Sequence, residues 1–168
     1  MKKLAIILCL FFASASITYA QSFAFVNTEQ ILQQLPAYQE AQKQIDATVE
    51  SWNKEVKQRY KQIDDAYKAF QAEQVLLSET ERRQREEQIV NMERETREFQ
   101  KKRFGSNGDL QKKREELIKP IQDEVYAAIE KVANRKKYDF VLDRSSGASI
   151  LFANPKYDVT DDVLREVK

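Results

Sequence analysis

Gln74-Val75-Leu76-Leu77-Ser78-Glu79-Thr80-Glu81 decides how this chain is arranged. Ser78 with Glu81 three residues on is the pattern of a capping box. In it the serine oxygen accepts an early helix N–H, while the glutamate accepts the N–H of the serine. A helix therefore starts at Ser78, and the apolar Val75-Leu76-Leu77 ahead of it closes an earlier one. Pro36 lies 42 residues before Ser78 and Pro120 lies 42 residues after it, with no proline between and with Gly105 and Gly108 as the sole glycines. The chain reads as a long antiparallel helical hairpin that leaves Pro36, turns at 75–79 and returns to Pro120. At ~1.5 Å rise per residue each limb is about 60 Å long. An arm of that length is either a spacer or a surface for holding something.

The outgoing limb carries Tyr38, Ala41, Ile45, Val49, Trp52, Val56, Ile63, Tyr67 and Phe70, mostly three and four apart. That spacing makes a heptad-like seam for a partner helix. On the return limb Ile89, Met92, Thr96 and Phe99 resume it, and Leu110, Leu117, Ile121, Val125, Ala128 and Val132 carry it to the end. From Ser78 to Gln88 there is no apolar side chain, so Leu76 and Leu77 have no evident partner there. The tip is expected to be splayed or open. Gly105-Ser106-Asn107-Gly108 interrupts the return limb, because two glycines within four residues disfavour a helix interior. A hinge at Gly105 and Gly108 is the expectation, ahead of a phosphate cradle, for which a lone pair of glycines is weak support.

Outside the arm the composition changes. Phe23-Ala24-Phe25-Val26 reads as a strand, followed by Asn27 as N-cap of a short helix with Ile31, Leu32 and Leu35 on its apolar face. Tyr138 to Asp143 and Ser149 to Ala153, separated by Ser145-Ser146-Gly147, suggest a second and third strand joined as a hairpin. Thr160-Asp161-Asp162 supplies an N-cap and two acids for a closing helix that turns Val163, Leu164 and Val167 inward. The fold class is thus mainly α with a small β part: residues 21–36 and 120–168 form a body from both chain ends, and 37–119 form the arm. Phe23, Phe25, Val26, Ile31, Leu32, Phe140, Leu142, Ile150 and Phe152 are the expected body core and assembly residues. So small a core, with open sheet edges, calls for oligomerisation.

Residues 1–20 read as a secretory signal: Lys2 and Lys3, an apolar run from Leu4 to Ile17, and Thr18-Tyr19-Ala20 ahead of a cleavage site. Cys9, the sole cysteine, lies within that run, leaving a mature chain of about 148 residues without thiols. Its 26 basic residues balance 27 acidic ones, which argues against a nucleic-acid partner. Histidine is absent, and with cysteine gone the usual metal ligands and the usual general base are missing. The three glycines cannot compose a Walker or dinucleotide loop. No catalytic, metal or cofactor residue is expected, and an enzyme is disfavoured.

The strand Phe23-Ala-Phe-Val-Asn27 with Thr28 to Pro36, the segment Leu117-Ile-Lys-Pro-Ile-Gln-Asp123, Tyr138-Asp-Phe-Val-Leu-Asp143 and the closing Tyr157 to Val163 together resemble the Skp/OmpH family of periplasmic outer-membrane-protein chaperones. The resemblance spans nearly the whole chain after residue 20. It implies a periplasmic homotrimer shaped like a jellyfish, with a small β-barrel body and three helical arms that hold unfolded outer-membrane β-barrel proteins without ATP. Two departures from the family stand out: the Gly105–Gly108 insert, and a near-neutral charge that argues against direct membrane or lipopolysaccharide binding. On this reading Tyr60, Tyr67, Phe70, Leu76, Leu77, Phe99 and Phe104 are the candidate client contacts. Phe70 and Phe99 fit the seam, so ordinary packing competes with that role; for Tyr60, Phe104, Leu76 and Leu77 both readings stay open. The rival function is a structural coiled-coil tether of the cell envelope, which would need a tightly zipped seam.

Overall fold

The computed structural model describes residues 21–147 and 151–167. The expected signal segment and Ile150 lie outside them.

Strand β1 (Phe23–Val26) leads into helix α1 (Thr28–Gln34), where the Asn27 side chain accepts the N–H of Gln30 as predicted. Helix α2 (Pro36–Glu73) follows, with proline in its first turn, where the missing N–H costs nothing. It runs 38 residues without a break. Pairs Glu50–Lys54, Glu55–Arg59 and Asp64–Lys68, one turn apart and acid first, support its solvent face. Helix α3 (Glu79–Phe104) returns from the predicted capping box at Ser78 and Glu81, both halves of which form. Helix α4 (Asp109–Lys136) completes the return limb and continues into the body.

The helix runs on through Pro120, which lies on an exposed face. Proline there removes one N–H from the ladder, and the loss is tolerated because neighbouring turns hold the helix: Ile121, Val125, Ala128 and Val132 are buried in the body core. Arm and body thus share one helix.

Strand β2 (Phe140–Asp143) pairs parallel with β1 in the register Phe23 to Phe140 and Val26 to Asp143. The whole arm is the crossover between the two strands. Below them, Ala24 and Val26 join Ile31, Leu35, Val125, Val132, Val159 and Val163 in the core, with Leu32 and Val141 packed against it. Helix α5 (Thr160–Val167) closes this core from the C-terminal end. Its start differs from expectation: the N–H of Thr160 donates to the Asp158 carboxylate, while the Thr160 hydroxyl accepts the N–H of Asn27 and so ties the two chain ends together.

The expected third strand is not formed among the described residues. Leu151 is a bend, and Phe152 and Ala153 lack regular structure. One edge of β1 is taken by β2 and the other by the segment at Asp158, whose neighbour Val159 donates its N–H to Phe25. A strand forms where it finds a ladder partner, and in this single chain the apolar Leu151-Phe152 pair finds none.

Candidate functional site

Three surfaces carry the candidate residues: the tip, the middle of the arm and the outer face of the sheet.

At the tip, the capping box holds the turn while leaving its apolar side chains in water. Ser78 donates its N–H to the Glu81 carboxylate and accepts the N–H of Glu81. The Ser78 hydroxyl, which also donates to the Glu81 carboxylate, and then the Ser78 N–H hold that carboxyl below its ordinary range. Arg82 adds a bond to the Gln74 carbonyl. Leu76 is 84% exposed and Val75 81%, whereas Leu77 is half-buried. Val75 belongs to the same apolar run and is exposed with Leu76.

Along the arm Ile63, Ile89 and Thr96 are buried in the seam, with the Thr96 hydroxyl donating to the Met92 carbonyl. Tyr60 and Tyr67, two turns apart on α2, each expose about half their surface. Phe70 is half-buried. Nearer the body, Phe99 and Phe104 are occupied within the chain: Phe104 meets Trp52 edge-on with ring centroids 5.9 Å apart, and two guanidinium groups lie over Phe99, Arg59 at 4.5 Å and Arg103 at 5.1 Å. Arg103 also covers Trp52 at 4.9 Å. Sequence reading missed both arginines, although Arg103 one turn after Phe99 was a visible cue.

Gly105 and Gly108 form the break between α3 and α4, with backbone angles in the ordinary extended region. Left-handed freedom is therefore not what glycine supplies. A Cβ on Gly105 would lie 2.4 Å from the Lys101 carbonyl oxygen, and one on Gly108 2.7 Å from that of Lys102. Both positions need glycine because backbone approaches them closely.

On the body, the pleat sends β1 and β2 side chains alternately to two faces. The face away from the core carries Phe23 stacked on Phe140 at 5.3 Å, with Phe25 and Leu142 beside them. Val26 and Ile31 are buried in the core, and Phe25 is buried on the outer face. Phe23, Phe140 and Leu142 are about half exposed and Phe152 is 82% exposed, so within one chain these four are surface, not core. At the strand end Asp143 gathers the Thr28 and Ser145 N–H groups and hydroxyls. Burial alone would raise its pKa, but those hydrogen bonds outweigh it and keep the carboxyl ionised below its ordinary value.

Among the described residues no cluster of histidine, cysteine or carboxylates is arranged to hold a metal, and no helix is long and apolar enough to cross a membrane.

The arrangement of a long arm on a body closed by both chain ends agrees with what known proteins show. The family model for outer membrane protein (OmpH-like) matches residues 22–167. This chain belongs to the OmpH-like family. Among its relatives, chaperone protein Skp of Pectobacterium atrosepticum is 28% identical over 156 residues, covering 93% of this chain and 91% of the relative. Skp of Yersinia enterocolitica shows the same identity and coverage. A crystal structure of a candidate OmpH-like outer membrane chaperone from Caulobacter crescentus CB15 shares the fold, with a TM-score of 0.71, 15% identity and coverage of 88% of this chain and 84% of that one. The family is one of chaperones and not a known enzyme class.

Proposed function

We propose that this OmpH-like protein is an ATP-independent periplasmic holdase: it binds unfolded outer-membrane β-barrel proteins between helical arms and prevents their aggregation before insertion. The observation that carries this reading is the apolar surface of the outer arm, Val75, Leu76, Tyr60 and Tyr67, left in water by a hairpin that buries its seam elsewhere. Large apolar side chains in water mark contact sites. A protein that must hold many unrelated sequences gains from several shallow contacts rather than one deep pocket. At ~25 cal/mol per Å² of apolar area removed from water each contact is weak, and several arms acting on one chain raise its effective concentration. Phe99 and Phe104 contribute least to this surface, because arginine and tryptophan already cover them.

The arms act together if the chain is a homotrimer. The outer sheet face supports that assembly: Phe23, Phe140, Leu142 and Phe152 are exposed apolar side chains, and among the described residues no strand pairs the outer edge of β2. Strands of other subunits meeting there would cover these side chains and pair the edge, as sheet proteins require. The signal-like residues 1–20 support export to the periplasm.

Light scattering tests the function. A urea-unfolded outer-membrane β-barrel protein is diluted into buffer with and without this protein, in the absence of nucleotide. Suppressed aggregation is the expected result. Unchanged aggregation in the presence of a folded oligomer would overturn it in favour of an envelope tether.

A further inference from the structure

We infer that the break at Gly105–Gly108 is a latched joint and that the Arg103 side chain is its latch. The break interrupts one limb, while α2 passes it without interruption at Trp52. Between α3 and α4 themselves the backbone is held by little: the N–H of Gly105 donates to Lys101, that of Gly108 to Gly105 and that of Lys112 to Gly108. Both glycines lie in the extended region, so no helical hydrogen-bond ladder runs unbroken from α3 into α4.

Arg103 supplies those contacts from a single group. Its guanidinium lies over Trp52 of α2 and over Phe99 of α3, and it donates to the carboxylate of Asp109 in the first turn of α4. Three helices thus converge on one planar cation. Asp109 is also well placed for the N-terminal end of its own helix, where the peptide dipoles favour a negative charge. Arg59, paired with Glu55 on α2, also lies over the Phe99 ring. One polar atom in this cluster, Nε of Arg103, is buried and without a hydrogen-bond partner. Such a group disfavours the closed arrangement, so the latch is closed by its stacking and its one carboxylate and not by full satisfaction.

The physical consequence is a joint with two states. With Arg103 seated, α3, α4 and α2 move as one rod. With it released, the return limb loses its tie across the break, and bending of the arm depends on α2 alone. A lysine substitutes in part at most, because a compact ammonium lacks the plane that lies over two rings and the fork that reaches a carboxylate. This inference concerns the mechanics of the arm and holds whatever the arm binds.

Hydrogen exchange read by mass spectrometry over residues 100–112 tests it, together with emission from Trp52, the sole tryptophan. Wild type is compared with Arg103→Met, which keeps an apolar stem, and with Arg103→Lys. The expected result is at least tenfold faster exchange over 100–112 in Arg103→Met, a lesser acceleration in Arg103→Lys, altered Trp52 emission in both, and unchanged exchange over 121–132. Unchanged exchange at the break would overturn the latch. So would acceleration spread evenly along α2, α3 and α4, which would make Arg103 a general packing residue of the arm.

Discussion

The body and the arm are built from the same helix, α4, yet they are held in different ways. In the body α4 contributes Ile121, Val125, Ala128 and Val132 to a core that also receives β1, α1 and α5, so each buried side chain is enclosed by several elements. In the arm one helix faces one other, and Ile63, Ile89 and Thr96 are the seam residues fully enclosed between the break and the tip. Beyond them the surface passes to charged pairs one turn apart, each worth a few tenths of a kcal/mol at most when exposed. Stability therefore resides at the base, and the apolar side chains exposed in the outer arm carry little of it.

The strongest attempt to break that comparison is a truncation in the body. Ile31 is fully buried beneath the sheet. Ile31→Ala is expected to cost about 2–5 kcal/mol, from lost burial and the cavity left behind. Thermal unfolding followed by far-UV circular dichroism checks this. A loss below about 1 kcal/mol would mean that the body is not the stabilising unit.

Acid separates the two regions next. Helix α5 is fastened to α4 by ion pairs: Lys136 with Asp162, and Arg135 with Lys131 to Glu166. The Lys136 ammonium, donating to Asp162, holds that carboxyl below its usual range against the opposing effect of burial, and Arg165 adds to it. The Arg135 guanidinium does the same for Glu166. A depressed folded pKa contributes stability that is fully present above the unfolded carboxylate value of ~4 and is lost as pH falls through the lower folded value. The protection of 160–167 against hydrogen exchange, taken relative to the intrinsic rate at each pH, is expected to fall below about pH 4 while the arm keeps its far-UV signal. In Lys136→Met that protection is already lower at neutral pH and depends less on pH. Release of α5 and melting of the arm at one common pH would contradict the separation.

The sequence made the arm more legible than the body, for physical reasons. A two-helix seam depends on local periodicity, and the capping box at Ser78 fixed its turn, so α2, α3 and the break could be read residue by residue. The body depends on which strands meet. That Phe140–Asp143 pairs parallel with Phe23–Val26 across the whole arm, and that Leu151 and Phe152 stay outside the sheet, is decided by contacts between residues more than a hundred positions apart. Pro120 is accommodated inside α4 because the core beyond it holds the helix together. At the site, the exposure of Leu76 followed from the polar stretch after Ser78. The guanidinium cover on Phe99 did not, because it needs α2 and α3 placed side by side.

A smaller effect sharpens the account of where α4 ends. Lys137 occupies the left-handed region at φ 59° at the end of α4, directly before β2. A lysine Cβ is crowded there, at a cost of roughly 1–2 kcal/mol, while glycine pays in unfolded-chain entropy instead. Lys137→Gly is expected to raise stability by about 0.5–1 kcal/mol, visible as a higher denaturant midpoint with an unchanged slope. A lower midpoint would show that the lysine stem packs against the body.

The smallest expected change in stability is at the tip, where the largest change in client protection is expected. Leu76→Ser with Leu77→Ser removes apolar surface that is mostly in water already, so folding should shift by less than about 0.5 kcal/mol. Ser78 and Glu81, which shape the turn, are untouched. If the outer arm is a contact surface, the double variant keeps its helicity and oligomer mass yet protects an unfolded β-barrel protein less well in light scattering. Full protection would move the contact surface down the arm to Tyr60 and Tyr67, the remaining exposed aromatic side chains of α2. Loss of the oligomer would instead place Leu76 and Leu77 in an assembly contact and reverse the division of labour between arm and body.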